Sequence, residues 1–281
     1  MADYKHLEEF ASQVRRDIVR MVHAVSSGHP GGSLGCTDFL TVLYQDILNH
    51  NPANFKMNAE NEDAFFLSNG HISPVWYSVL SRTGYFPVAE LATFRKINTR
   101  LQGHPTTHDG LPGIRMASGS LGQGLSVAAG VALGKILNND TSFVYTLHGD
   151  GELQEGQNWE AALFCAHYKL DNIIATVDYN KRQIDGDVKD VMDMGDLAAK
   201  WKAFGWEVYE MDGHNFDSLT STINKAKAAR GNSVPKVILM HTEMGQGVDY
   251  MMGSHKWHGV APNDEQLESA LGQIQETLGD Y

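Results

Sequence analysis

From about residue 117 to residue 241 the chain alternates short β-branched runs with helical stretches, and this alternation limits the fold more than any other feature. The runs FVYTL (143–147), NIIATV (172–177), WEVYEM (206–211) and KVILMH (236–241) read as strands. Helical patterning fills 125–137, 156–168, 195–204 and 216–229. Strands separated by helices pair in parallel through right-handed crossovers, with helices on both faces of the sheet. Upstream, Phe10, Val14, Ile18 and Val22 form one stripe on a helix over 7–25. A glycine-rich break (SGHPGGSLG, 27–35) separates it from a second helix over 37–48, and residues 63–67 read as a short buried strand. Leu267, Leu271, Ile274 and Leu278 mark a last amphipathic helix. No repeat or linker interrupts the chain. The expectation is one α/β domain over 1–281, a parallel sheet with helices on both faces and extra helices at the N- and C-termini.

Length and charge bound what such a domain does. With 281 residues and 42% hydrophobic content the chain can bury a sizeable core. No apolar run approaches the roughly 20 residues needed to cross a bilayer, and the N-terminus lacks the basic and apolar regions of a signal peptide. A net charge of −12 disfavours nucleic acid and anionic membrane as partners. Cys36 and Cys165 lie far apart, which suggests buried thiols and a cytoplasmic location. A bound phosphate would have to be held by backbone amides or a cation, because the overall field repels it.

The stretch HGDGELQEGQNWEAALF (148–164) places Asp150 between two glycines just past a strand. Asp178-Tyr-Asn180 lies just past the next strand, thirty residues on, a separation that fits one crossover. Ligands of open parallel sheets bind at the carboxyl ends of the strands. Asp150 and Asn180 can therefore converge on one spot, and their oxygens suit a hard cation such as Mg²⁺, which fills its octahedron with water and phosphate oxygens. Gly149 and Gly151 let the backbone approach a diphosphate, and the helix start after them favours negative charge. Taken alone, Gly-Asp-Gly is more readily a tight turn with a solvated aspartate.

Four of the thirteen histidines fall in glycine- or proline-rich loops: His29 in SGHPGG, His71 in SNGHISP, His104 in GHPTT and His258 in HKWHG. Loop histidines on a rigid α/β scaffold serve proton transfer or hydroxyl binding near neutral pH, or stand merely solvated. Zinc held by His104 and His108, or by His255 and His258, is the alternative; Pro105 and the absence of an H-E-x-x-H context count against it.

Gly-Asp-Gly followed thirty residues later by Asn resembles the thiamine-diphosphate motif. ELQEGQNWEAA, KLDNI and DYNKRQIDG, together with the four histidine loops in order, resemble transketolase from about Arg15 to Pro262. The resemblance implies thiamine diphosphate with Mg²⁺ (Ca²⁺ or Mn²⁺ as substitutes) held by Asp150, Asn180 and the Arg182 carbonyl. On that reading the Arg182 side chain should matter little. It implies Gly151 at the diphosphate, Ile184 beside the thiazolium, and the Gly119 and Leu121 backbones at the aminopyrimidine. His29, His71, His104 and His258 would contact sugar and cofactor, His71 and His258 in both capacities. His255 also matches a family position, with a less defined role. Glu155 is either a helix-start acid favourable to the dipole or part of a buried acidic network that joins paired active sites and contacts the cofactor. The helix over 125–137 would lie near a subunit interface. 1-Deoxyxylulose-5-phosphate synthase shares the Gly-Asp-Gly motif without this loop combination, and the α subunits of 2-oxo acid dehydrogenases lack the histidine loops.

The family's cofactor-activating glutamate is carried on a second α/β domain that this chain does not contain. The chain therefore reads as the N-terminal subunit of a split transketolase, inactive alone and active in an α2β2 complex with a separate C-terminal subunit, acting on sugar phosphates. A segment of a longer enzyme would read the same way, and a non-catalytic thiamine-diphosphate scaffold is the rival from another class.

Overall fold

Alternate residues of each strand point to opposite faces, and the chain uses both. The computed structural model describes residues 3–281. After α1 (Lys5–Ala24) come α2 (Pro30–Gly35), α3 (Thr37–Val42), β1 (Ala64–Leu67) and α4 (Ser73–Arg82). Then follow α5 (Gly124–Leu137), β2 (Val144–Gly149), α6 (Gly156–His167), β3 (Ile173–Tyr179) and a two-residue hairpin, β4 (Arg182–Gln183) with β5 (Gly186–Asp187). The chain continues through α7 (Val188–Met192), α8 (Leu197–Ala203), β6 (Glu207–Asp212), α9 (Phe216–Ala228), β7 (Lys236–His241) and α10 (Asp264–Gln273). Five strands form one parallel sheet in the order β1-β2-β3-β7-β6. The expected α/β architecture is the one observed.

Phe65, Leu67, Tyr145, Leu147, Ile174, Ile238 and Met240 face one core, completed by α1, α3, α4 and α9. Ala64, Phe66, Val144, Ile173, Ala175, Val177, Val237 and Leu239 face the other, against α5, α6 and α8. Phe65 and Phe66 thus serve different cores one residue apart, as a two-residue period requires. The α1 stripe of Phe10, Val14, Ile18 and Val22 is buried as its spacing predicts.

Three elements differ from the sequence expectation. The break at 27–35 is helical from Pro30, because proline suits the first turn and the glycines permit close packing. A Cβ on Gly31 would stand 2.7 Å from the Trp257 carbonyl oxygen. The last helix stops at Gln273, short of Ile274 and Leu278, because Arg16 Nη1 takes the carbonyls of Leu271 (2.9 Å) and Ile274 (2.6 Å). Ile274 still packs into the core, whereas Leu278 is half exposed. Helix α4 gives no periodic signal because Ser73 through Ser81 are buried on every side.

No helix of the described residues is long and apolar enough to cross a membrane. One face is nonetheless apolar and uncovered: Val127 on α5 and Leu163 and Phe164 on α6 remain 40%, 59% and 36% exposed, with Tyr168 beside them at 50%.

Candidate active site

The carboxyl ends of β1, β2, β3 and β7 open into a cleft of about 290 Å³. Its floor is Gly149-Asp150-Gly151 with Asp178 and Asn180, and its walls carry His29, His71, His258, Gly119, Leu121 and Ile184. Strand β2 ends at Gly149, so Asp150 sits at the point where the chain leaves the sheet. Its two oxygens accept the N–H groups of Gly151 (2.8 Å) and Lys181 (2.5 Å), which ties the loop after β2 to the loop after β3. Asn180 donates to Asp178 Oδ2 (2.8 Å) and accepts the Arg182 N–H at Oδ1 (2.8 Å). The crossover spacing thus brings Asp150 and Asn180 together. Asp178, which also takes the Thr242 hydroxyl, orients Asn180 from beneath.

Burial, reinforced by the nearby Asp178 charge, pushes Asp150 up to about 8. Asp178 is raised by burial too. Two buried carboxyl groups this close together favour a positive ligand. Among the described residues no three His, Cys, Asp or Glu side chains converge as a metal cage. An ion at Asp150 and Asn180 would need backbone, water or phosphate oxygens to complete its shell, as Mg²⁺ commonly does.

Above the floor four imidazoles converge from four loops. The His29 ring centroid is 5.1 Å from that of His71, 5.6 Å from that of His258 and 6.3 Å from that of His104. His71 and His258 stack at 5.0 Å. Burial lowers all four below the ordinary histidine range, with neighbouring histidines adding to it for His29 and His71. His29 is lowered to about 4. Neutral rings can both donate and accept. Nδ1 of His29, Nδ1 of His258 and Oδ1 of Asn69 are buried without a hydrogen-bond partner among the described residues. Unpaired polar atoms around a concave space are what a polar ligand would satisfy. His104 packs beside the cleft against Gly119, whose φ of +111° and lack of a Cβ permit the approach; a Cβ there would fall 2.4 Å from the imidazole Cδ2.

Glu155 is exposed at the rim and makes no side-chain cap to α6, whereas its neighbour Glu152 is buried. Glu152 accepts the Ser68 hydroxyl, the Gly122 N–H (2.9 Å) and the Gly149 N–H (3.1 Å). Burial opposes its charge, yet His148, Ser68 and Gly122 hold its carboxyl below the usual range. The sequence offers one signal for it, its place four residues after His148 on a turn of the chain. Asn69, Gln154 and Gln183, which fall within the matching stretches but for which the resemblance implies no role, and Met244, which lies outside them, also line the cleft. The Arg182 side chain, for which the resemblance implied no role, is anchored on Glu243, its guanidinium at 2.7 Å.

A parallel sheet with an oxygen-bearing floor and an uncharged, donor-and-acceptor roof at its strand ends defines a cofactor-binding α/β domain. The family model for transketolase, thiamine diphosphate binding domain, matches residues 7–278. An apulose-4-phosphate transketolase subunit of Actinobacillus succinogenes is 37% identical over 97% of each chain. The 6-deoxy-6-sulfo-D-fructose transketolase subunit SqwG of a Clostridium species is 37% identical over 96% of each. The crystal structure of transketolase from Campylobacter jejuni superposes with a TM-score of 0.89 at 33% identity, over 97% of this chain and 43% of that one. The chain belongs to the transketolase family and is its thiamine-diphosphate-binding part, similar over nearly its whole length to relatives named as separate subunits.

Proposed function

We propose that this chain is the cofactor-binding subunit of a two-chain, thiamine-diphosphate- and Mg²⁺-dependent transketolase. It moves a two-carbon ketol unit from a ketose to an aldose. The carrying observation is that three imidazoles, His29, His71 and His258, line one cleft whose floor includes Asp150 and Asn180, with His104 beside them. Holding a diphosphate would need only the floor. A roof of imidazoles adds groups that bind hydroxyls and pass protons.

The residues fit the cofactor. Asp150, Asn180 and the Arg182 carbonyl would hold the Mg²⁺ ion, for which Ca²⁺ or Mn²⁺ can substitute. The backbone at Gly151 meets the diphosphate, and the backbones of Gly119 and Leu121 meet the aminopyrimidine. Ile184, 60% exposed on the hairpin, offers the thiazolium an apolar wall. When bound, thiamine diphosphate supplies the carbon nucleophile and electron sink that cleavage beside a carbonyl requires. His29, His71, His104 and His258 then orient the sugar hydroxyls. Being neutral near pH 7, they can take a proton from one oxygen and return it to another without first losing one to solvent. His71 and His258 also touch the cofactor.

The activating glutamate comes from a separate C-terminal subunit, and the working complex is α2β2. The exposed apolar face of α5 and α6, and Glu155 at the cleft rim, support such a partner. The relatives named above are transketolase subunits for a phosphorylated and a sulfonated sugar. A sugar with a terminal anion, foremost a sugar phosphate, is therefore the substrate class we assign.

Mixing this chain with the C-terminal subunit should give ketose-to-aldose transfer that neither gives alone. His104→Ala and His258→Ala should abolish transfer, and His104→Ala should still bind thiamine diphosphate. Full turnover by the isolated chain, or unimpaired activity of both variants, would overturn the assignment.

A further inference from the structure

The hairpin β4–β5, which bears Arg182 and Ile184, is a wall of the cleft with few anchors of its own. Its ladder is two residue pairs long, Arg182 with Asp187 and Gln183 with Gly186. On one side Gln154 Nε2 donates to Gln183 Oε1 at 2.9 Å. On the other side Arg182 Nη1 donates to Glu243 Oε1 at 2.7 Å. The same oxygen, Glu243 Oε1, accepts the Gly253 N–H at 2.8 Å. Gly253 opens the segment that leads into the His255–His258 turn, and that turn packs on the hairpin. One carboxylate oxygen thus joins the wall carrying Ile184 to the wall carrying His258.

Glu243 is itself fixed. Its N–H donates to His214 Nε2 at 2.8 Å, which leaves the other ring nitrogen to donate to Asp38 Oδ2 at 3.2 Å. Asp38 is buried and also takes Arg15 Nη2 at 2.6 Å. The carbonyl oxygen of Glu243 lies 3.0 Å from the place a Cβ on Gly35 would occupy, so helix α2 backs the same residue. A residue whose backbone is held in place, presenting its carboxylate to a lightly anchored hairpin, is a latch.

We propose that Arg182 is a positioning residue. Its guanidinium, through Glu243, locks the hairpin to the Gly253–His258 segment, so that the two walls of the cofactor cleft are set together and not independently. What the walls enclose rests on the function proposed above; the latch itself does not. An arginine serves here because its planar fork keeps one direction of donation on Glu243 while its Nε faces Asp187 at 3.8 Å.

The test is amide hydrogen exchange on the full chain without cofactor, followed by titration of its complex with the C-terminal subunit with thiamine diphosphate and Mg²⁺. Arg182→Leu and Glu243→Gln should each speed exchange about threefold to tenfold in both segments, 182–187 and 253–258. Each should weaken cofactor binding by a similar factor. The double variant should be no worse than either single one, and Arg182→Lys should recover part of the loss. Glu243→Gln keeps shape and volume, so it reads the latch even if Arg182→Leu disturbs folding. Faster exchange in the hairpin alone, or effects that add in the double variant, would overturn the proposal. If exchange is coupled as expected but the wild-type chain mixed with the C-terminal subunit binds no thiamine diphosphate, the latch stands and the proposed function falls. If wild type binds and the variants exchange and bind as it does, the latch falls and the function stands.

Discussion

Glu152 accepts the Gly122 N–H across thirty residues of chain, at 2.9 Å, from a side chain that is 3% exposed. The same carboxylate takes Gly149 at the end of β2 and Ser68 after β1, so one buried acid gathers three of the loops that line the cleft. Removing it leaves two backbone N–H groups and a hydroxyl buried without their acceptor, a situation more costly than the net worth of the bonds themselves.

Glu152→Ala should therefore destabilise the chain by about 3 kcal/mol. Urea unfolding monitored by tryptophan fluorescence measures this. Glu155→Ala, at an exposed position, should stay within about 0.5 kcal/mol of wild type in the same experiment. Equal losses in the two variants would contradict the division drawn between them.

Acid should weaken the fold through the histidine roof. His29 is lowered from 6.5 to about 4 by burial and by its histidine and arginine neighbours. The unfolded chain therefore binds this proton more readily than the folded one. The His29 contribution is fully present above pH 6.5 and is lost as pH falls from there through about 4. Stability measured from pH 7 to pH 4.5 should fall more steeply in wild type than in His29→Asn. Parallel curves would count against a neutral, desolvated His29.

Gly119→Ala should cost about 1–3 kcal/mol, because alanine is strained at positive φ and its methyl would press on the His104 ring. The larger effect should appear in cofactor binding, read by titration with thiamine diphosphate and Mg²⁺, since the displaced loop also holds Leu121.

Leu163→Asp should leave the thermal midpoint nearly unchanged, since the side chain is 59% exposed. It should weaken assembly with the C-terminal subunit about tenfold or more, as charge at an interface centre does. Analytical ultracentrifugation of the mixture would register the shift, and unaltered assembly would remove α6 from the contact.

Much of this site is legible from residues because its logic is local to strand ends. The interval from Asp150 to Asn180 equals one crossover, and a parallel sheet places such residues side by side. The four histidines stand out because their loops are punctuated by glycine and proline. Glu152 escapes notice because the groups it gathers, Ser68 and Gly122, lie eighty-four and thirty residues away along the chain. The Arg182 side chain is hidden because a backbone role says nothing of where a side chain goes, and Glu243 lies sixty-one residues away. Helix α4 is hidden for a different reason: burial on all sides erases the period by which helices are recognised.

The two cores on either side of the sheet have a further consequence. Phe65 and Phe66 answer to different sets of helices, so a lineage can remodel the α5 and α6 side to suit a new assembly partner while the α1 side drifts under separate constraints. The strand ends between them, where the cofactor cleft is mounted, need not change in either case. Such a partition lets one catalytic mount be carried unaltered through families that differ in how their chains are divided and paired.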